Sequence, residues 1–229
     1  MRRNGVDCLL MGGQACVLYG GAEFSRDIDF VLHVDSGNLA RLSGAVDELQ
    51  ARVIAVPPFA KDYLDRGHAV HFRCEAPGTE RLRIDVMSRL RGVDPFEMLW
   101  ERRTTLAVDE LEIDALSLPD LIAAKRTQRD KDWLMTNRLV EAHHVRHRDE
   151  ATTERIWFWL TQSFDLEFIE RRVSEYPGVG DEREVIRELR KGNRRQAAVV
   201  LESERMAIVE ADREYWKPLK KELEALRRG

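Results

Sequence analysis

Between residues 6 and 116 the chain alternates short β-like runs with short helical stretches, the pattern of an α/β or α+β layer architecture. Strands are predicted over residues 7–11, 27–34, 52–56, 69–74 and 81–87. A further pair over 104–108 and 110–115 meets at Asp109, which reads as a tight hairpin. Helices are predicted over 13–19 and 38–51, the second carrying Leu39, Leu42, Val46 and Leu49 on one face. Ser117-Leu118-Pro119-Asp120 opens another helix, with a serine cap, an acid three residues on, and a proline in the first turn where its missing N–H is harmless. Beyond it the pattern is almost wholly helical, with breaks expected at Arg148-Asp149, Tyr176 to Gly180, Lys191 to Asn193 and Lys217-Pro218. The expected organisation is a catalytic-type α/β domain over 1–133 and a helical C-terminal region over 134–229.

Composition narrows the classes. At 229 residues and 43% hydrophobic the chain can bury a sizeable core. Its charged fraction is high at 34%, but the signs nearly cancel to a formal −4, so no global attraction to nucleic acid or anionic lipid follows; a local basic groove remains compatible with it. Cys8, Cys16 and Cys74 show neither zinc-site spacing nor a disulfide framework and read as free thiols of a reducing compartment. No apolar run approaches the ~20 residues that span a bilayer. A soluble, cytoplasmic protein with no membrane partner is expected.

The chemistry concentrates in Leu10-Met11-Gly12-Gly13-Gln14-Ala15 and Ser25-Arg26-Asp27-Ile28-Asp29-Phe30. A strand ending in Gly12-Gly13 and opening a helix brings backbone N–H groups and the positive helix end to one spot, a cradle for phosphate. On the next strand Asp27 and Asp29 share one face while Ile28, Phe30 and Leu32 take the other. Two carboxylates so placed repel unless a cation lies between them, and Mg²⁺ (or Mn²⁺) is the oxygen-seeking ion that also bridges to phosphate. Asp85 is the natural third acid, because Leu82, Ile84 and Val86 define the buried face of its strand. Asp85 can ligate metal or take the proton of an attacking hydroxyl.

Gly12-Gly13, then Asp27-Ile28-Asp29, then Asp85 resemble the motif of the nucleotidyltransferase superfamily, whose fold is that of the DNA polymerase β type. Within it, Gly12-Gly13-Gln14-Ala15 and the helix from Leu118 to Asp132, with Lys125 and then Arg129-Asp130-Lys131-Asp132, look like the abortive-infection toxin (AbiEii-like) branch. The resemblance covers residues 6 to about 140 and departs at Gln14, where many members carry serine. It implies a mixed sheet with flanking helices, transfer of a nucleoside monophosphate from an NTP, metal held by Asp27, Asp29 and Asp85, and a toxin-like or defence role with a cognate antitoxin. Expected NTP contacts are Gly12, Gly13, Ser25, Arg26, Lys125 and Arg129, with Asp132 in support. Read as one helix, Leu118, Leu121, Ile122, Lys125, Arg129 and Asp132 form an arc that turns from apolar to charged, as a buried stripe does where it reaches a cleft.

The acceptor stays open among an RNA such as tRNA, a protein and a small molecule. Two other readings stand beside the enzyme: a catalytically inactive nucleotide-binding or partner-binding module, and a small-molecule adenylyltransferase of the antibiotic-modifying kind. Elsewhere the plain readings prevail. His143, His144 and His147 lack companion ligands for zinc. Trp157-Phe158-Trp159 reads as helical core, and Arg190-Lys191 with Arg194-Arg195 as a solvated helix end.

Overall fold

The computed structural model describes residues 1–228. Among the described residues a mixed sheet of seven strands is accompanied by ten α-helices. The chain divides into two compact units, the first made of residues 1–18, 23–124 and 214–229, the second of residues 19–22 and 125–213.

The first unit holds the sheet. Its strands are β1 (Cys8–Met11), β2 (Asp27–Leu32), β3 (Arg52–Val53), β4 (Val70–Arg73), β5 (Arg83–Met87), β6 (Thr104–Val108) and β7 (Leu111–Ala115), in the spatial order β3-β4-β5-β2-β1-β7-β6. β2 runs parallel to β5 and β1 parallel to β7; the remaining neighbours are antiparallel. Alternation sets the faces. On β4 and β5, Val70, Phe72, Ile84 and Val86 point into a core with Leu42, Val46 and Leu64 from helices α2 (Ser36–Glu48) and α3 (Lys61–Arg66). Asp35 caps α2 by accepting from the backbone N–H groups of Gly37 and Asn38, which starts the helix earlier than apolar spacing alone predicts. The buried Asn38 side chain bonds the backbone of Asp7 and of His33, tying the start of β1 to the end of β2.

Three local differences from the sequence reading have physical causes. The short helices α3 and α4 (Phe96–Glu101) have too few turns to show a periodic stripe. The strand expected over 52–56 keeps only its first two residues. No break occurs at Pro218, which lies inside the long helix α10 (Arg194–Arg228). The proline removes one helical hydrogen bond, at a cost of about 3 kcal/mol in an unsupported helix. Here Leu219 is buried and Glu222 is held by Arg66 and by the buried His68 at 2.8 Å each, so tertiary contacts offset the loss.

The predicted helix through residue 132 is in fact two. After α1 (Gly12–Leu18) and α5 (Leu118–Lys125), a turn precedes α6 (Asp130–His147). That turn competes well with a continued helix because its polar groups are satisfied. Gln128 N–H donates to Asp212 at 3.0 Å, the Trp133 indole donates to Thr127 O at 2.8 Å, and Thr127 Oγ1 donates to Asp132 at 2.6 Å.

The second unit is helical, with α6 followed by α7 (Thr153–Gln162), α8 (Leu166–Glu175), α9 (Glu184–Arg190) and the first part of α10. Leu160, Ile169, Val173, Val185, Ile186 and Leu201 form its core. Trp159 is fully buried there and donates its indole N–H to His143 Nδ1 at 2.9 Å. Burial pushes His143 down to about 4, helped by the charge of neighbouring His147, Arg155 and Arg146. A histidine whose folded value lies below its unfolded value binds fewer protons when folded. Stability is therefore intact above about pH 6.5 and falls as pH drops from there toward 4. His143→Gln, which retains an acceptor without the titration, should flatten the pH dependence of the urea midpoint in that window; an unchanged slope would assign the loss to other groups.

Candidate functional site

The site is assembled by strand register. Met11 lies opposite Asp29 on β1 and β2, and Asp29 lies opposite Asp85 on β2 and β5. Asp85 lies opposite His71 on β4. Directly opposed residues share a face, so Asp29, Asp85 and His71 form one row. Two residues along, Asp27 is opposite Arg83, making a second row on the same face. The acids that are distant in sequence thus become neighbours because β2 and β5 are adjacent and parallel.

Gly12 and Gly13 are shaped by what approaches them. A Cβ at Gly12 would stand 1.9 Å from Asp29 Oδ2 and 2.7 Å from Asp29 Cβ, and the residue has φ +68°. A Cβ at Gly13 would stand 2.3 Å from Ser25 Oγ. Glycine is therefore required at both positions by side chains of the Asp-x-Asp segment, whether or not phosphate is present. Gln14, the residue that departs from the family pattern, anchors the same segment: its Nε2 donates to Ser25 O at 2.8 Å. Ser25 Oγ donates in turn to Asp27 O at 3.2 Å. Arg26 is exposed at the start of the strand.

Asp85 is almost buried and fully engaged. Arg83 grips it with a fork, Nε to Oδ1 at 2.8 Å and Nη2 to Oδ2 at 2.9 Å, and His71 Nδ1 lies 2.9 Å from Oδ1. Burial alone would push the Asp85 carboxyl up. Hydrogen bonds from His71 and Arg83, with their charges, outweigh it and hold the group below the usual carboxylate range. The same fork raises Arg83, whose Nη1 also lies 3.9 Å from Asp27 Oδ2. Arg83 and His71 escaped the sequence reading. The available signal was alternation: Arg83 stands two residues before Asp85, and His71 and Arg73 alternate with Val70 and Phe72.

Gly12, Gly13, Ser25, Arg26, Asp27, Asp29 and Asp85 all belong to the first unit. Lys125, Arg129 and Asp132 belong to the second, and the helix break places them otherwise than on one continuous arc. Lys125 ends α5 with Nζ 3.8 Å from Asp132 Oδ1; Arg129 precedes α6 and donates from Nε to Asp132 Oδ2 at 2.7 Å. Asp132 is buried, so it holds both cations in a local network.

The donor set of the first unit suits a hard divalent cation: three carboxylates on one sheet face, one of them lodged against a turn with no side chain. In the arrangement described, Arg83 occupies both oxygens of Asp85. Among the described residues no group of three or more His, Cys, Asp or Glu side chains is gathered closely enough to hold an ion. Asp27, Asp29 and Asp85 are oxygen donors of the kind Mg²⁺ takes, and both oxygens of Asp85 are held by Arg83. Cys8, Cys16 and Cys74 are buried and outside any disulfide, and burial pushes Cys8 up to about 12. Among the described residues no helix is long and apolar enough to cross a membrane. Compared with known protein families and with curated proteins, the chain matches none.

Proposed function

We propose that the first unit is a nucleotidyltransferase domain of the DNA polymerase β type, resembling the AbiEii-like branch, which moves a nucleoside monophosphate from an NTP to an acceptor hydroxyl. The observation that carries this reading is the register of Asp29 against Asp85, with Asp27 on the same face and the Asp29 carboxylate packed on the Gly12 turn. Asp27 and Asp29 would hold Mg²⁺, with Asp85 joining them, and the ion supplies charge neutralisation for the triphosphate. The acceptor oxygen forms its bond to the α-phosphorus as the bond to the bridging oxygen of pyrophosphate breaks. Asp85 accepts the hydroxyl proton, and pyrophosphate leaves toward the backbone N–H groups of Gly12 and Gly13. Arg83 keeps Asp85 ionised and oriented until substrate arrives.

A second reading, a nucleotide-binding module without turnover, draws on one observation: both oxygens of Asp85 are already satisfied by Arg83 and His71. The two readings separate in one experiment. Titrate each of the four NTPs with and without Mg²⁺, then incubate the protein with α-labelled NTP and cell extract. Transfer of label, together with metal-dependent binding that falls at least about tenfold in Asp27→Ala/Asp29→Ala, supports the enzyme. Metal-dependent binding without label transfer supports the module. Equal NTP affinity in the double variant and the wild type would remove the acid pair from either.

A further inference from the structure

Helix α6 of the second unit has two unlike faces. Trp133, Thr136, Leu139, Val140 and His144 are buried along one of them. The other carries Leu134 and Val145, 67% and 59% exposed, with the exposed Arg138 and Glu141 between them. At about 100° per residue these four lie within an arc of roughly 60°, so they make one narrow stripe along the helix. Leu134 and Val145 stand about three turns apart, roughly 16 Å, too far to cover one another. An exposed leucine alone signifies little; what lies between the two apolar ends makes the pattern.

The two charges of the stripe are open to pairing. Neither the Arg138 guanidinium nor the Glu141 carboxylate has an ion-pair partner among the described residues. On α10 the pairs Glu202–Arg205, Glu210–Arg213 and Glu214–Lys217 all close at the same three-residue spacing. In α6 the order is reversed, cation ahead of acid, which is the weaker arrangement on a helix and leaves both groups available. The stripe also reads the same from either end: its steps are four, three and four residues, apolar outside and oppositely charged within. If a second copy of α6 is turned end for end against the first, Leu134 meets Val145 of that copy and Arg138 meets its Glu141, and each contact occurs twice about a two-fold axis. A parallel copy would set Arg138 on Arg138 and Glu141 on Glu141, so the charges select the antiparallel arrangement.

We infer that α6 is the seam of an antiparallel homodimer, in which the Leu134, Arg138, Glu141 and Val145 stripe of one copy packs on the same stripe of a second. The contact is short. A seam of about three turns buries less than the ~1,200 Å² at which stable complexes begin, so the dimer is weak and forms with rising concentration, in the roughly micromolar range. This pairing uses the second unit alone and is independent of the proposed nucleotidyl transfer.

Sedimentation velocity of the full chain from roughly 1 to 200 μM reads the association directly. Arg138→Glu and Glu141→Arg each set like charges against one another across the axis and should weaken it at least about tenfold. Mixed together the two variants are complementary again, and the double variant Arg138→Glu/Glu141→Arg is complementary to itself; both should associate within about threefold of wild type. Cysteine pairs fix the register. Under mild oxidation a mixture of Leu134→Cys and Val145→Cys proteins should form a disulfide-linked dimer. Neither variant should do so alone, because the antiparallel seam keeps like positions roughly 16 Å apart. The native cysteines are buried and do not compete. All four substituted positions are exposed, so urea midpoints at low concentration should stay at the wild-type value, which separates lost association from lost fold. Wild type that remains monomeric throughout, single charge variants that associate as wild type does, a mixture no better than its parts, or cross-linking of Leu134→Cys alone would each overturn the antiparallel dimer.

Discussion

For the proposed transfer, with Asp85 as its base, Asp85→Asn should lower turnover by about a thousandfold while leaving NTP affinity within about tenfold, because a base acts mainly as the reaction proceeds. Asparagine keeps the size of the side chain and one acceptor oxygen for Arg83, but it cannot accept the acceptor's proton. The fold should survive. Arg83 loses one of the two carboxylate oxygens it now holds at 2.8 and 2.9 Å, and Asp27, 3.9 Å from its other amino group, is placed to take up part of the charge. Removing one charge-assisted bond costs roughly 1.5–3 kcal/mol before that compensation. Arg83→Met tests the other half of the pair: it frees Asp85 and should tighten Mn²⁺ binding by about tenfold, measured calorimetrically without nucleotide. Single-turnover rates for Asp85→Asn close to wild type would take Asp85 out of the chemistry. Unchanged Mn²⁺ affinity in Arg83→Met would mean that Asp85 is no part of the metal site.

Gly12→Ala should destabilise the protein by about 2–4 kcal/mol, a large effect for the addition of one methyl group. Two costs combine. The backbone at φ +68° disfavours any side chain, and the new Cβ would sit 1.9 Å from Asp29 Oδ2 and 2.7 Å from Asp29 Cβ. Rotating the carboxylate relieves the first contact but not the second, so β2 itself must shift. Asp29→Gly in the Gly12→Ala background removes the opposing atoms and should recover all but the conformational part, about 1 kcal/mol. Urea unfolding of the two single variants and the double variant makes the comparison. A Gly12→Ala protein within 0.5 kcal/mol of wild type would contradict the close approach on which the site is built.

Much of the sheet was legible in the sequence because β4, β5 and the first half of β2 alternate apolar and polar residues, and alternation is the one-dimensional trace of a face, while β1 is a short wholly apolar run that ends at a glycine pair. For the same reason Asp27, Asp29 and Asp85 could be assigned to the face opposite the core. Register was not legible. Nothing local to Asp29, Asp85 or His71 says that they stand side by side; that follows from the strand order, a property of the whole sheet. The turn after Lys125 was hidden for a related reason. Residues 118–132 hold no glycine, and their only proline is in the first turn. What ends the helix is a set of partners that includes Asp212, far along the chain. Pro218 erred the other way: a strong local breaker was overridden by the grip of Arg66 and His68 on Glu222.

The parallel pairing of β2 with β5 also sets a timetable for synthesis. β1 and β2 are neighbours in sequence and can pair as soon as both have emerged, which displays Asp27 and Asp29 early. Asp85 arrives only after α2, β3, α3 and β4 have been made, and β5 must then insert between β2 and β4. Long-range parallel pairing is slow, because the chain between must be closed into a loop before the contact is rewarded. A nascent chain therefore carries two of its acids well before it can carry the third.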